Sequence, residues 1–264
     1  MSEIETFEIL TKFREPLIAD IIDSLNIKQN SRGIDIGCGI GRITNLLLKK
    51  TGAKIIGFDY SQELVNHAIR KIKQKNIEFI QGDVNHLQFA PHSFDWIWSM
   101  DTIWAGPAES GCPAEKPDEI LDQCYRILKP GGEIYMSFWT AQKILSGYPL
   151  LEARLNASAA ANAPYMENMD PYTHILNGKK WLEHAKFNVR VKTFAGDIVS
   201  PLSENDKQAL AALFQMFWGH SKEEVAGKDW EQFEKLCLPD SDYFVLNVPG
   251  YTGFYTYTLF KGKK

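Results

Sequence analysis

Three glycines at alternate positions, Gly37, Gly39 and Gly41, stand between a short apolar run at 33–36 and a helical pattern carried by Ile43, Leu46, Leu47 and Leu48. That order predicts a strand, a tight turn and a helix. Glycine takes positive φ without penalty and lets a ligand approach the bare backbone, and the amides at a helix start can meet a negative group. A second run, 54–58, ends on Asp59, 22 residues beyond Gly37. A carboxylate at the tip of that strand can accept both hydroxyls of a ribose. A third run, 77–80, leads into Gln81-Gly82-Asp83, a second carboxylate at a strand tip. The chemistry these residues predict is recognition of a nucleoside.

The rest of the composition narrows the partners. A chain of 264 residues has ample length for a buried core, and its formal net charge of -4 offers no basic field toward phosphate backbones, so nucleic acid is not an expected partner. The segment MSEIETFEIL matches neither a secretory signal nor a basic transit peptide, and no run of about 18 apolar residues occurs. The expectation is a soluble, cytoplasmic protein without membrane partners. Cys38, Cys112, Cys124 and Cys237 are far apart without a CxxC pair, which predicts reduced, mostly buried thiols. The six histidines lack an HxxxH spacing, and no metal site is expected.

The elements that must position the glycine turn and the acids follow in order. Apolar positions from Ile4 to Leu25 predict two helical stretches divided by Pro16, packing on the first strand. After the second strand, Ser61 is placed as the N-cap of a helix whose inner face holds Leu64, Val65, Ala68, Ile69 and Ile72. A fourth strand at 94–99 runs into a long loop with Asp101 and Trp104. A helix at 118–128 is stopped by Lys129-Pro130-Gly131-Gly132, and 133–139 is a fifth strand. Strands alternating with helices imply a parallel sheet covered on both faces, which binds ligands at its carboxyl edge. A helix at 176–187, a strand at 188–197, a helical pair at 203–238 and a closing strand complete one domain, 1–264, with insertions at about 140–176 and 199–250.

In this order the segments Asp35-Ile36-Gly37-Cys38-Gly39-Ile40-Gly41, Asp59, Gly82-Asp83, Phe94-Asp95-Trp96 and Leu128-Lys129-Pro130-Gly131-Gly132 resemble those of class I S-adenosylmethionine-dependent methyltransferases. The likeness is closest to the small-molecule group called methyltransferase type 11 or UbiE-like. It is strong over 33–139 and weak beyond. The resemblance implies an α/β, Rossmann-like, seven-stranded, mostly parallel sheet with helices on both faces and helical cap insertions. It implies S-adenosylmethionine as cofactor and S-adenosylhomocysteine as product. On it, the Gly37, Gly39 and Gly41 backbone would hold the methionine part with Asp35 near its amino group. Asp59 would take the ribose hydroxyls, Tyr60 would lie on adenine, Asp83 would accept from its exocyclic amine, Val84 would touch the ring, and Met100 would line the pocket. A sulfonium donor carries no phosphate, so such a loop needs close approach more than charge neutralisation.

Other readings of the same residues are weaker. A dinucleotide-binding turn places its third glycine three residues after the second, and here Gly41 is two residues after Gly39. Asp95-Trp96 lacks the proline pair of methyltransferases that act on exocyclic base amines. Cys38 suits a crowded turn by its small size. A protein that binds the cofactor without catalysis, or one that methylates protein or RNA, stands as the alternative to a small-molecule enzyme. For the acceptor side the candidates are His174 and Asp101 as acid or base, and Trp104, Tyr165, Tyr172 and Trp218 as an aromatic enclosure for a flat acceptor or a methylated amine.

Overall fold

The computed structural model describes residues 2–106, 112–113, 116–158 and 170–264. The chain divides into two compact units. A sheet unit takes Glu15–Thr140, Asp170–Phe194 and Tyr257–Lys264, and a helical unit takes Met1–Arg14, Ala141–Met169 and Ala195–Thr256.

The seven strands are β1 (Arg32–Ile36), β2 (Lys54–Asp59), β3 (Ile77–Gln81), β4 (Phe94–Met100), β5 (Leu128–Lys143), β6 (Asn188–Val199) and β7 (Thr252–Lys263). They lie in the order β3-β2-β1-β4-β5-β7-β6, as one sheet. The pairs β1 with β2, β1 with β4, β2 with β3 and β4 with β5 are parallel. β7 runs the other way: the Lys264 N–H donates to Gly132 O near the start of β5, while Thr258 Oγ1 lies 2.9 Å from Thr140 Oγ1 further along it. The expected mostly parallel seven-stranded sheet is therefore present.

β1 carries Gly33 because the Trp96 indole of β4 lies across it; a Cβ there would stand 2.2 Å from the ring. One face of the sheet, with Ile34, Ile36, Ile56, Phe58 and Ile97, packs with the inner residues of α4 (Asp118–Ile127) and α6 (Gly178–His184). The helices α2 (Arg42–Thr51) and α3 (Gln62–Lys71) pack on β2 and β3. Their apolar residues Ile43, Leu46, Leu47, Leu64, Val65 and Ala68 are buried, as the 3.6-residue spacing requires. Ser61 caps α3 as expected, its side chain accepting from the Leu64 N–H.

Two expectations about the elements are corrected. Residues Glu3–Asp23 form one helix, α1, with Pro16 inside it. Proline removes one N–H from the helical ladder, but Leu10 and Phe13 on one side of it and Leu17, Ile18 and Ile21 on the other are all buried, and their burial outweighs that loss. Lys129–Gly132 does not separate a helix from a later strand. β5 begins at Leu128, directly after α4, and the KPGG segment is an irregularity in its pairing with β4, between Phe94 and Trp96. Gly131 takes φ 76° there and donates its N–H to Lys264 O, so the bulge receives the end of β7.

The helical unit contains α5 (Pro149–Asn156), α7 (Glu204–Trp218) and α8 (Gly227–Cys237). Its core includes Leu151, Leu155, Leu210, Leu213, Phe214, Phe233 and Leu236. Trp218 belongs to this core. It is fully buried, its ring centroid lies 5.7 Å from that of Phe214, and its indole N–H donates to Asn156 Oδ1. This corrects its placement in an acceptor enclosure: its surface is spent on packing its own unit. All four cysteines are free and buried.

Candidate functional site

The site is built where β1, β2, β3 and β4 end, within the sheet unit. The Gly37 and Cys38 N–H groups both donate to Phe58 O, which holds the turn against the tip of β2. Gly37 has φ 81°, and its Cα faces the Thr102 side chain so closely that a Cβ would lie 1.9 Å from Thr102 Oγ1. Gly39 has φ 51° and is different, since an added Cβ there would meet nothing among the described residues within 4 Å. The turn is thus packed from behind at Gly37 and open at Gly39.

Asp59 locks this turn. Its Oδ2 accepts the Gly39 N–H at 2.7 Å and its Oδ1 accepts the Ser61 N–H at 2.9 Å, so one carboxylate joins the loop, the tip of β2 and the start of α3. Each oxygen retains a second lone pair, the capacity needed for a pair of hydroxyls. The Gly82 N–H donates to Asp59 O, placing Gly82-Asp83 beside it. Asp83 caps the turn Val84–His86, its Oδ1 accepting from the Asn85 N–H and side-chain amide, each at 2.9 Å. Although partial burial pushes the other way, those bonds and His86 hold its carboxyl below the ordinary value. Val84 is buried at 8 % exposure, and the Tyr60 side chain is 75 % exposed, an aromatic plate standing open next to Asp59.

Asp35 lies one level below the loop. It is buried, accepts from Thr44 Oγ1 at 2.6 Å, and pairs in register with Gly57 on β2 and Trp98 on β4. Burial raises its pKa to about 7, the Thr44 bond opposes the rise, and the charge of Asp59 adds to it. A carboxyl whose folded-state value lies above its unfolded value of 3.8 favours folding fully only at and below that unfolded value, and the contribution is lost as pH climbs toward 7. Between those limits Asp35 is expected to lower stability by on the order of 1 kcal/mol per pH unit. Asp35→Asn retains an acceptor for Thr44, so chemical denaturation of both proteins across this range should show a flatter pH profile for the variant. The Cys38 thiol in the loop is likewise pushed up by burial, with the charges of Asp35 and Asp59 adding to it, which makes it a packing group and not a nucleophile.

β4 ends on Met100, partly buried and paired in register with Ser137 of β5. Asp101 follows with φ 50°. Its N–H donates to Ser137 O, its Oδ1 accepts the Trp139 N–H at 2.8 Å, and its Oδ2 accepts the Tyr257 hydroxyl at 2.6 Å. The chain then turns back so that Thr102 meets Gly37.

The remaining acceptor candidates have contacts of their own. Tyr172 packs toward α4 and α6: its hydroxyl bonds to Asp118 Oδ1 and His184 Nδ1, and its ring stacks on His184. His174 caps the turn Ile175–Asn177, with its Nδ1 accepting the Leu176 N–H. Trp104 packs partly buried against the core. Tyr165 lies outside the described residues. Conversely, the sequence carries no local signal that Thr102 meets Gly37 or that Tyr257, 156 positions away, reaches Asp101.

A parallel sheet in this strand order, with a glycine turn after β1 and acids at the tips of β2 and β3, is the arrangement of a class I S-adenosylmethionine-dependent methyltransferase domain. Comparison with known proteins agrees: residues 34–136 match the family model described as Methyltransferase domain. A demethylmenaquinone methyltransferase of Lactobacillus johnsonii is 34% identical over 116 residues, 42% of this chain and 44% of that one. A sterol 24-C-methyltransferase of Debaryomyces hansenii is 28% identical over 139 residues, 51% of this chain and 34% of that one. The chain thus spans less than half the length of these curated relatives. Among solved structures, an S-adenosylmethionine-dependent methyltransferase from Aquifex aeolicus superposes with a TM-score of 0.53 at 15% identity, covering 99% of this chain and 98% of that chain, which shows the shared fold. The residues present fit the cofactor of the family. Gly39 leaves open the space a Cβ would fill, and Asp59 is anchored by backbone amides beside it. Among the described residues, no helix is long and apolar enough to cross a membrane.

Proposed function

We propose that this protein transfers a methyl group from S-adenosylmethionine to a small-molecule acceptor. The observation that carries the reading is the Gly39–Asp59 hydrogen bond, which unites an open glycine turn and a ribose-reading acid in one rigid unit. When bound, the cofactor supplies a methyl group already activated by the charge on its sulfur. The chain's task is then to hold donor and acceptor in line and to keep water out. In this reading Gly37, Gly39 and Gly41 pass close to the methionine part, with Asp35 beneath it. Asp59 takes the ribose hydroxyls, and Tyr60, Asp83 and Val84 enclose the base. Met100 lines the floor.

The small-molecule part of the proposal rests on the net charge of -4, which disfavours nucleic acid, and on relatives whose names specify a sterol and demethylmenaquinone. The segments 140–176 and 199–250 are proposed as the caps that select the acceptor. Of the two acid–base candidates we retain Asp101, which stands beside the cofactor residues; the ring of His174 serves its turn. Titration calorimetry with S-adenosylhomocysteine tests the donor half. Micromolar or tighter binding is expected, and a wild-type protein that takes up no ligand would sink the proposal. Turnover of labelled donor across a panel of small acceptors tests the other half.

A further inference from the structure

Resting on that reading, we infer that Asn85 is a positioning residue for the donor: it pins Asp83 so that one carboxylate oxygen faces position 6 of the purine, and the site takes a 6-amino ring and rejects a 6-oxo ring. Three observations meet at Asn85. Its backbone N–H and its side-chain Nδ2 both donate to Asp83 Oδ1, each at 2.9 Å. A carboxylate oxygen offers two lone pairs, so Oδ1 is filled and Oδ2 is the atom left for a ligand. The other N–H of the same amide donates to Pro113 O at 2.6 Å, 28 positions along the chain. Both neighbours of Nδ2 are acceptor oxygens, which settles which end of the amide points inward. Asp83 itself is 40 % exposed at its side chain, so its outer oxygen is within reach of a ligand.

The pinning has a chemical consequence. Adenine carries a donor at position 6 and an acceptor at N1, whereas a 6-oxo purine carries an acceptor at position 6 and an N–H at N1. A carboxylate able to swing would follow the N–H from one position to the other and bind both rings. Asp83 is held instead. Its side chain is fastened by Asn85, and its backbone is fastened where the Gly82 N–H donates to Asp59 O and the His86 N–H to Asp83 O. The bonds to Asn85 also keep the carboxyl ionised at neutral pH, so it accepts and does not donate. The Asn85 amide cannot serve a 6-oxo group either, since both of its N–H groups are taken. The other neighbour of Oδ2 is the His86 ring, with Nδ1 at 3.5 Å on a side chain that is 77 % exposed and has room to turn outward.

The test is calorimetry on the full chain with S-adenosylhomocysteine and with its 6-oxo analogue, S-inosylhomocysteine, at about pH 8, above the ordinary range of imidazole protonation. The wild type is expected to bind the 6-amino ligand at least about a hundredfold more tightly than the 6-oxo ligand. Asn85→Ala should weaken the 6-amino ligand about tenfold and leave the 6-oxo ligand unchanged or improved, so that the preference falls at least about tenfold. Asn85→Asp, which sets a second carboxylate against Asp83, should lower the preference at least as far. Asn85 is exposed, so neither change opens a cavity, and both variants should unfold near the wild-type temperature. A side chain that only supports the turn would weaken both ligands by the same factor. That result, a preference that survives both substitutions, or a wild type that does not discriminate overturns the inference and leaves the donor reading intact. Failure of the wild type to bind S-adenosylhomocysteine at all overturns both.

Discussion

Gly39→Ala is expected to unfold close to the wild-type temperature yet to bind S-adenosylhomocysteine about a hundredfold more weakly, whereas Gly37→Ala should lose both stability and binding. The two glycines look alike in sequence, and both have positive φ. Their surroundings separate them. A methyl group at position 39 enters space empty of described neighbours, so the fold bears mainly the left-handed backbone penalty of roughly 1–2 kcal/mol. The ligand proposed for that space would lose its close approach, and a hundredfold loss corresponds to about 3 kcal/mol. At position 37 the same methyl would stand 1.9 Å from Thr102 Oγ1, with the other side-chain atoms of Thr102 at 2.6 and 2.7 Å, and β4 and the loop would have to part. Together with the backbone term this should cost about 3 kcal/mol or more. Thermal unfolding and calorimetry on both variants decide the matter. If Gly39→Ala bound the ligand normally, the open side of the turn would not be the ligand side.

Asp59 gives the second large effect, and it concerns which substitution counts as mild. Asp59→Ala leaves the Gly39 and Ser61 N–H groups without their partner, a loss of about 1–3 kcal/mol in stability, and it removes the proposed ribose contact, so binding should fall at least a hundredfold. Asparagine would ordinarily be the gentle change. Here both carboxylate oxygens accept from N–H groups, and an amide can present only one oxygen, so its NH2 must face a donor. Asp59→Asn is therefore expected to behave nearly as badly as Asp59→Ala in both denaturant unfolding and calorimetry. A mild Asn variant would mean that one of the two hydrogen bonds is unimportant to the loop.

What could be read in the sequence was what depends on neighbours in the chain. The switch from the apolar run at 33–36 to the helical spacing after Gly41 marks β1, its turn and α2 without further help, and Asp59 and Asp83 declare themselves by ending apolar runs. The mostly parallel sheet covered on both faces follows from the alternation of strands and helices. What could not be read depends on distant partners. Nothing near Asp101 announces Tyr257, and nothing near Gly37 announces Thr102. Trp218 on a helical face looks the same whether it faces a ligand or Phe214. Pro16 reads locally as a break, and only the burial of Leu10, Phe13, Leu17 and Ile18 explains why the helix runs through it. The KPGG segment shows its turn-forming residues, but its role as the receiver of β7 is set by residues 131 to 264 pairing across the whole chain.

The place of β7 has a kinetic consequence. The last strand is inserted between β5 and β6, so during synthesis the edge of β5 stays unpaired, and β6 has no neighbour in the sheet, until residues 252–263 have left the ribosome. Its contacts with β5 and β6 are non-local, as Thr258 with Thr140 and Thr193 shows, which makes its docking the slow part of assembly. Until then the nascent chain presents an unprotected strand edge built of Ile134, Met136 and Phe138, the kind of surface that chaperones cover and that other chains pair with. Chains that stall before residue 252 should therefore aggregate.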